Sequence, residues 1–372
     1  MTAGFRDARP SFARSVTISD VAEAAGVSRQ TVSNVLNAPD RVRAETRERV
    51  TRVIADLGYH PNHMARSLRA SSPRLIGCRI LPVHAETVAA IQDRFLHALA
   101  EAGQECDHHV LLFTAEDVAA ETERCTALWR AGAVSGVVLY DITPDDPRVG
   151  RLTASGVPFT AFGRTAVSTE QYSWADVDNA AGTASAIDHL VAAGHRRIGF
   201  LGWLEGSSVG DARARGWLTA MDRHGLLAES HRLDVRGEDT TSSGTRLMTE
   251  LLDRPGPPTA VVVATDTLAV GALQAVRDHG LIPGRDIAVV GFDDSPAATA
   301  LGLSSVRQPI EEVGRLVMAE MLRLTDRTSG ADGEPPAEPL HRLLTPELVV
   351  RTSSAPLLSS PPPDATAQPL RA

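Results

Sequence analysis

Arg29, Gln30, Ser33 and Asn34 lie on a stretch, Arg29–Asn37, whose apolar members Val32, Val35 and Leu36 recur at helical spacing. On a helix those apolar residues share one face and leave the four polar side chains outward near the N-terminal half. An arginine fork donates to two acceptors on a guanine edge, and a glutamine amide matches the donor and acceptor of an adenine edge. The chemistry these residue types and this spacing allow is the reading of base edges in a DNA groove. The surrounding elements fit that task. Ser28 is placed to cap the helix. Gly26 supplies the tight turn before it, and Thr17 with Asp20 forms a capping box that starts a first helix with Val21, Ala22 and Ala25 on its buried stripe. Two short helices joined in this way make a helix-turn-helix. An ordinary surface helical hairpin carries the same pattern, so the flanking residues decide.

A third helix fits Ala44–Leu57, with Val50, Val53, Ile54 and Leu57 directed inward and Gly58 as its stop. The residues Tyr59-His60-Pro61-Asn62 cannot continue it, because proline disfavours the helical conformation in the residue before it. His63–Ala70 then forms a short segment of helical propensity. Residues 17–70, through TISDVAEAAGVSRQTVSNVLN, ETRERV and LGYHPNHMARSL, resemble the DNA-binding headpiece of the LacI/GalR family of bacterial transcriptional repressors. The resemblance implies that the last of these segments is a hinge helix that folds on operator DNA and wedges Leu68 into the minor groove; without it Leu68 reads as a linker leucine packed on the core. The DNA contacts expected on this basis are Thr17, Ser28, Arg29, Gln30, Thr31, Ser33, Asn34, Asn37, Tyr59, Asn62, Arg66 and Leu68.

The net charge of −9 over 372 residues argues against a nucleic-acid binder, but its distribution reverses the argument. Residues 1–73 hold 11 Arg against 7 Asp and Glu, a balance of +4, which leaves −13 on the rest. A basic head on an acidic body concentrates phosphate attraction at one end. All 37 residues counted as Lys or Arg are arginine, a bias that suggests a GC-rich genome. The three cysteines, Cys78, Cys106 and Cys125, are odd in number and lack metal-site spacing, so reduced thiols in the cytoplasm are expected. The N-terminal residues lack the apolar core of a signal peptide, and no apolar run is long enough to span a membrane.

From Leu75 onward strand and helix patterns alternate, which predicts parallel sheets covered by helices on both faces. Strands are expected at Leu75–Leu81, His109–Phe113, Gly136–Tyr140, Pro158–Phe162, Ile198–Trp203, Ala260–Ala264 and Ile287–Phe292. This many strands favours two α/β lobes. The segments VDNAAG (177–182), HLVAAGHRRIGFLG (189–202), VGFDD (290–294), SVRQPI (305–310) and PELVVR (346–351) extend the same family resemblance, implying a periplasmic-binding-protein-like core whose lobes close on a small molecule. The expected division is a disordered arm (1–16), a helix-turn-helix domain (17–60), a hinge and linker (61–73), a core (74–352) and a disordered tail (353–372). The first lobe takes residues 74–175 and 307–328, the second 176–305 and 340–352, with crossings near 172–178, near 304–308 and within 326–341.

Ligands of such lobes bind at the C-terminal ends of strands. Asp141, Arg164, Trp203, Arg213, Asp266 and Gln308 are the candidates there. The resemblance singles out Arg213, in the word Arg213-Ala-Arg-Gly216, and Asp266, in Ala264-Thr265-Asp266; a fork donor and a carboxylate acceptor suit a sugar or nucleoside. Asp266 is also placed to cap the helix that follows, and Trp203 equally suits packing between elements. Two departures from the family weigh against an ordinary pyranose: Pro82-Val83-His84-Ala85-Glu86 and Gly237-Glu238-Asp239 carry no aromatic where relatives place one. Asp293-Asp294 follow a strand and could suit metal or acid–base chemistry, but the resemblance places them in a structural turn; His108-His109 point to opposite faces of a strand, and no nucleophile–base pair is legible. The sequence thus points to a repressor without catalytic activity, cofactor or metal. Its expected partners are operator DNA, a small effector and a second copy of the chain, as a dimer or a dimer of dimers. A solute-binding protein and a sugar enzyme are the rival readings.

Overall fold

The computed structural model describes residues 16–59, 74–80, 91–166, 171–230, 233–328 and 338–355. The chain forms two units, residues 1–73 and 74–372.

In the first unit the helices are α1 (Ile18–Ala25), α2 (Arg29–Asn37) and α3 (Ala44–Leu57), with a single 3₁₀ turn at Pro39–Arg41. Both halves of the capping box form: the Thr17 amide donates to the Asp20 carboxylate at 2.7 Å, and the Asp20 amide donates to Thr17 Oγ1 at 3.4 Å. Gly26 and Gly58 end α1 and α3 at φ of 66° and 59°, a region glycine enters without steric cost. Val21, Val32 and Val50 are fully buried and make the centre of a small core. Two expectations need correction. Tyr59, expected as a DNA contact, is buried in this core, and Leu57, expected to face inward, is 39 % exposed.

The second unit holds twelve strands: β1 (Leu75–Arg79), β2 (His109–Phe113), β3 (Gly136–Leu139), β4 (Phe159–Phe162), β5 (Ser173–Val177), β6 (Ile198–Trp203), β7 (Asp234–Gly237), β8 (Ala260–Val263), β9 (Ala288–Phe292), β10 (Ser304–Arg307), β11 (His341–Leu344) and β12 (Glu347–Val349). They form two six-stranded sheets in the orders β11-β5-β4-β3-β1-β2 and β12-β10-β9-β8-β6-β7. All pairings are parallel except β10 with β12. Strand β5 ends the first sheet's run, and the chain enters the second lobe through the helix Asn179–Ala192. It returns after β10 into the helix Ile310–Thr328, which packs on β3, β4 and β5.

The last crossing differs from expectation. Residues 341–344 pair with β5 in the first sheet, so the chain crosses between Leu344 and Glu347 and not within 326–341. The expected tail also begins too early, since Ser353 and Ser354 are buried and bonded to Val289 and Ser304. Because β5 and β10 both leave for the other lobe from their C-terminal ends, and run parallel to β4 and β9, the C-terminal ends of the two sheets confront each other. That geometry places the loops after β3, β6, β8 and β9, and the described start of the loop after β4, around one cleft.

In the second lobe the helices Thr241–Leu252 and Asp266–Asp278 pack so closely that a Cβ on Gly271 would sit 1.9 Å from the Thr241 carbonyl oxygen, and one on Gly244 would sit 2.1 Å from that of Leu268. Backbone cannot yield as a side chain can. The replacement Gly271→Ala is therefore expected to destabilise the protein by about 1–3 kcal/mol. Gly150→Ala, on a helix with open space around it, is expected to be neutral or stabilising by up to about 1 kcal/mol. Urea denaturation of both variants checks the contrast; equal effects would refute the close-packing account.

Candidate functional site

On α2, Ser28 caps the helix by accepting the Thr31 amide at 3.1 Å, and its hydroxyl lies 2.9 Å from that of Thr31. Arg29 and Gln30 are exposed, and Thr31, Ser33 and Asn34 are half-buried. Gln30 Nε2 donates to Asn34 Oδ1 at 3.0 Å, so the two amides form a unit one helical turn apart. Thr17 is exposed but committed to its cap, while Asn62, Arg66 and Leu68 lie outside the described residues, as does the side chain of Asn37.

In the cleft, Arg213 is the central cation. It stands on the helix Ser208–Arg223 and is 2 % exposed. Its Nε donates to Asn179 Oδ1 at 2.8 Å and its Nη1 to the Ala264 carbonyl at 2.5 Å, with Asp293 Oδ1 at 3.7 Å. The guanidinium lies 3.7 Å from the Phe292 ring centre and 5.4 Å from that of Trp203. These partners sit at the ends of β9, β8 and β6 and at the start of the helix after β5, so one side chain ties four strand ends together.

Acidic groups outnumber this cation. Burial pushes the Asp176 carboxyl up to about 6, despite the nearby Arg164. Burial also raises Asp239, which accepts the Thr265 hydroxyl at 2.5 Å. Asp293 is raised by its burial first, and then by Asp266 and Asp239; the attraction of Arg213 does not compensate. Arg213 is itself lowered by burial.

Several sequence candidates occupy other places than expected. Asp266 is neither the helix cap nor on the cleft surface. Thr265 caps the helix, and Asp266 is fully buried, accepting the Ser295 amide and the Ser305 hydroxyl, each at 2.7 Å. It clamps the turn after β9 to β10. Gln308 is 3 % exposed and donates to Asp293 Oδ1 at 2.6 Å, which makes it a support for Asp293. Trp203 keeps a partly exposed ring at the end of β6. Asp141 and Arg164 are exposed on the first lobe's side; Arg164 pairs with Asp176 at 3.3 Å and covers the Trp174 ring. The segment 82–86 lies outside the described residues.

Sequence reasoning passes over Asn179, Asp239 and Asp293. A signal for Asp293 was present, since it follows β9 at the same strand level as Thr265 follows β8. Arg94 was also missed. From the helix Ile91–Glu105 it donates to the carbonyls of Asp293 at 3.2 Å and Gln308 at 3.3 Å, and it pairs with Glu311 at 2.9 Å. It thereby fastens the first lobe to two strand ends of the second.

Residues 17–62 match the family described as bacterial regulatory proteins, lacI family, and residues 187–354 match a periplasmic binding protein-like domain. The transcriptional regulator CelR of Thermobifida fusca is 35 % identical over 353 residues, covering 91 % of this chain and 98 % of its own. The chain belongs to the LacI family. As a member it is a DNA-binding transcriptional regulator, and the α2 face and the lobed core are the family's two working parts. Among solved structures, a transcriptional regulator CelR–cellobiose complex aligns with a TM-score of 0.67 at 31 % identity, covering 91 % of this chain and all of that one. The lac repressor dimer bound to operator and an anti-inducer aligns with a TM-score of 0.77 at 27 % identity, covering 92 % and 99 %. Among the described residues no helix is long and apolar enough to cross a membrane.

The raised carboxyls give this LacI-family core a specific pH response. A carboxyl raised by folding binds its proton more tightly in the folded state, so its stabilising contribution is complete below the ordinary carboxylate range, near pH 4, and is lost as pH rises through the folded value. For Asp176 that value is about 6. Asp293 is raised as well and extends the loss to higher pH. Melting temperature is therefore expected to fall from pH 5 to pH 8, and to fall less in Asp293→Asn. Parallel falls in the two proteins, followed by calorimetry, would exclude Asp293 from the effect.

Proposed function

We propose that this regulator is a repressor that binds a pseudo-palindromic operator as a homodimer in the cytoplasm, and that an uncharged sugar or similar polyhydroxyl compound held between its lobes controls operator affinity. The observation that carries the ligand class is the charge of the cleft. Three carboxyl groups, Asp176, Asp239 and Asp293, act on a single buried arginine whose attraction is already engaged by Asn179, Ala264 and Asp293, and Asp141 is exposed on the first lobe's side. Such a site is rich in acceptors for hydroxyl groups and repels phosphate or carboxylate. The partly exposed Trp203 ring beside Arg213 supplies an apolar face that compensates for the aromatics missing from Gly237-Glu238-Asp239. The cellobiose held by the CelR relative supports the same class.

Closure of the lobes on ligand alters the spacing of the chain segments that lead to the two headpieces, and operator affinity follows by linkage. Within each half-site, Arg29 reads guanine, and the Gln30–Asn34 amide pair reads an adjacent base. Thermal-shift screening with cellobiose, other neutral sugars, nucleosides and sugar phosphates tests the ligand class, with each hit then added to an operator-binding titration. Neutral sugars are expected to raise the melting temperature and change operator affinity. A response confined to sugar phosphates would overturn the ligand class. In the same titration, Arg29→Ala is expected to lose about 1–3 kcal/mol of discrimination at one base position per half-site. A uniform loss on all sequences would make Arg29 a phosphate contact instead.

A further inference from the structure

We propose that Arg148 is the positioning residue that displays Asp141 to the effector, holding the loop after β3 from below through a buried charge quartet; the inference rests on the cleft being the effector site. Arg148 stands in the first turn of the helix Pro147–Ser155 and is 3 % exposed. Its Nη2 donates to the carbonyl oxygens of Tyr140 at 3.2 Å and Asp141 at 2.8 Å. Its Nε donates to Asp146 at 3.0 Å and its Nη1 to Glu121 at 2.9 Å. Glu121, 1 % exposed on the helix Val118–Arg130, also accepts Arg79 Nη1 at 2.8 Å from the C-terminal end of β1. Asp146 caps the helix below Arg148 and accepts the Thr143 amide at 3.2 Å.

Two cations and two anions thus balance with no charge left over. Burial raises the Asp146 carboxyl, but the Arg148 hydrogen bonds and charge outweigh it and hold Asp146 below its ordinary value. A buried ion cluster is a poor device for stability alone, since apolar packing of equal volume serves as well. What this cluster does beyond packing is grip the backbone of the cleft loop at both ends, at 140–141 and at 143. Asp141 is held at φ 55°, a left-handed conformation that costs a non-glycine residue energy and needs outside support. The bond from Arg148 to the Asp141 carbonyl supplies that support and fixes the orientation of the exposed carboxylate above it. A lysine has no planar fork and cannot serve Glu121, Asp146 and two carbonyls together.

The test uses full-length protein carrying Arg148→Lys, with Glu121→Gln as the milder variant should the first fail to fold. Hydrogen–deuterium exchange in residues 140–147 is expected to rise about tenfold, the worth of one charge-assisted hydrogen bond, with β6 and β8 unchanged. The affinity for cellobiose, measured by titration calorimetry, is expected to fall by about tenfold for the same reason. That loss should vanish when Asp141 is already alanine, because Arg148 acts through Asp141. Unchanged exchange in the loop, or an equal loss of affinity in both backgrounds, overturns the proposal. If the parent protein binds neither cellobiose nor the other neutral sugars, the ligand class fails, and the exchange result alone decides the role of Arg148.

Discussion

A guanidinium taken out of water must be surrounded by acceptors and ring faces, and Arg213 imposes that condition on the whole cleft. Its partners arrive from the ends of β6, β8 and β9 and from the hinge residue Asn179. The strands must therefore end at matching levels, and the helix Ser208–Arg223 must lie close to them. Gly216 lets that helix lie against the start of the helix Asn179–Ala192, since a Cβ there would meet the backbone of Ala180. The surrounding carboxyls then face a second constraint: one cation does not offset the burial of Asp176, Asp239 and Asp293, and each is raised above its ordinary value. The proposed preference of the cleft for hydroxyl groups rests on the same imbalance.

The two lobes are joined by backbone crossings and by Arg94. Because that side chain holds the carbonyls of Asp293 and Gln308 while pairing with Glu311, it connects the first lobe to residues that also frame Arg213. Ligand contact and lobe position thus share neighbours, which is the physical requirement for coupling between the cleft and the DNA-binding head. Polar residues do this work because directional bonds to carbonyls tolerate little sliding, whereas an apolar contact would let the lobes shear.

Much of this was legible in the residues, and the gaps have physical reasons. The three headpiece helices were legible because caps, stops and apolar stripes are local, as Thr17, Gly26 and Val32 show. Strands such as Ala260–Val263 announce themselves by unbroken apolar runs, the mark of a strand buried on both faces. Ser173–Val177 and Ser304–Arg307 are as deeply placed but carry Ser and Asp, whose hydrogen bonds to Glu320, Asp266 and Arg351 come from distant parts of the chain. The same distance hid the roles of Asp266 and Gln308. Each looks like a cleft residue by strand position, and only tertiary packing shows its side chain turned to brace a neighbour. Arg148 and Glu121 carried no sequence signal, since 27 residues separate two ends of one ion pair.

The hydrogen bond between Gln30 and Asn34 bears on how this regulator's lineage can change its target. Two amides that share a donor and an acceptor present one composite surface, so replacing either alters what the other offers. If the pair reads a base, as proposed, a shift in preferred base demands two substitutions, and the intermediate carries an unmatched amide. Operator preference at this position should drift in jumps, with the single-step variants as valleys between them, while Arg29, outside the pair, is free to vary alone.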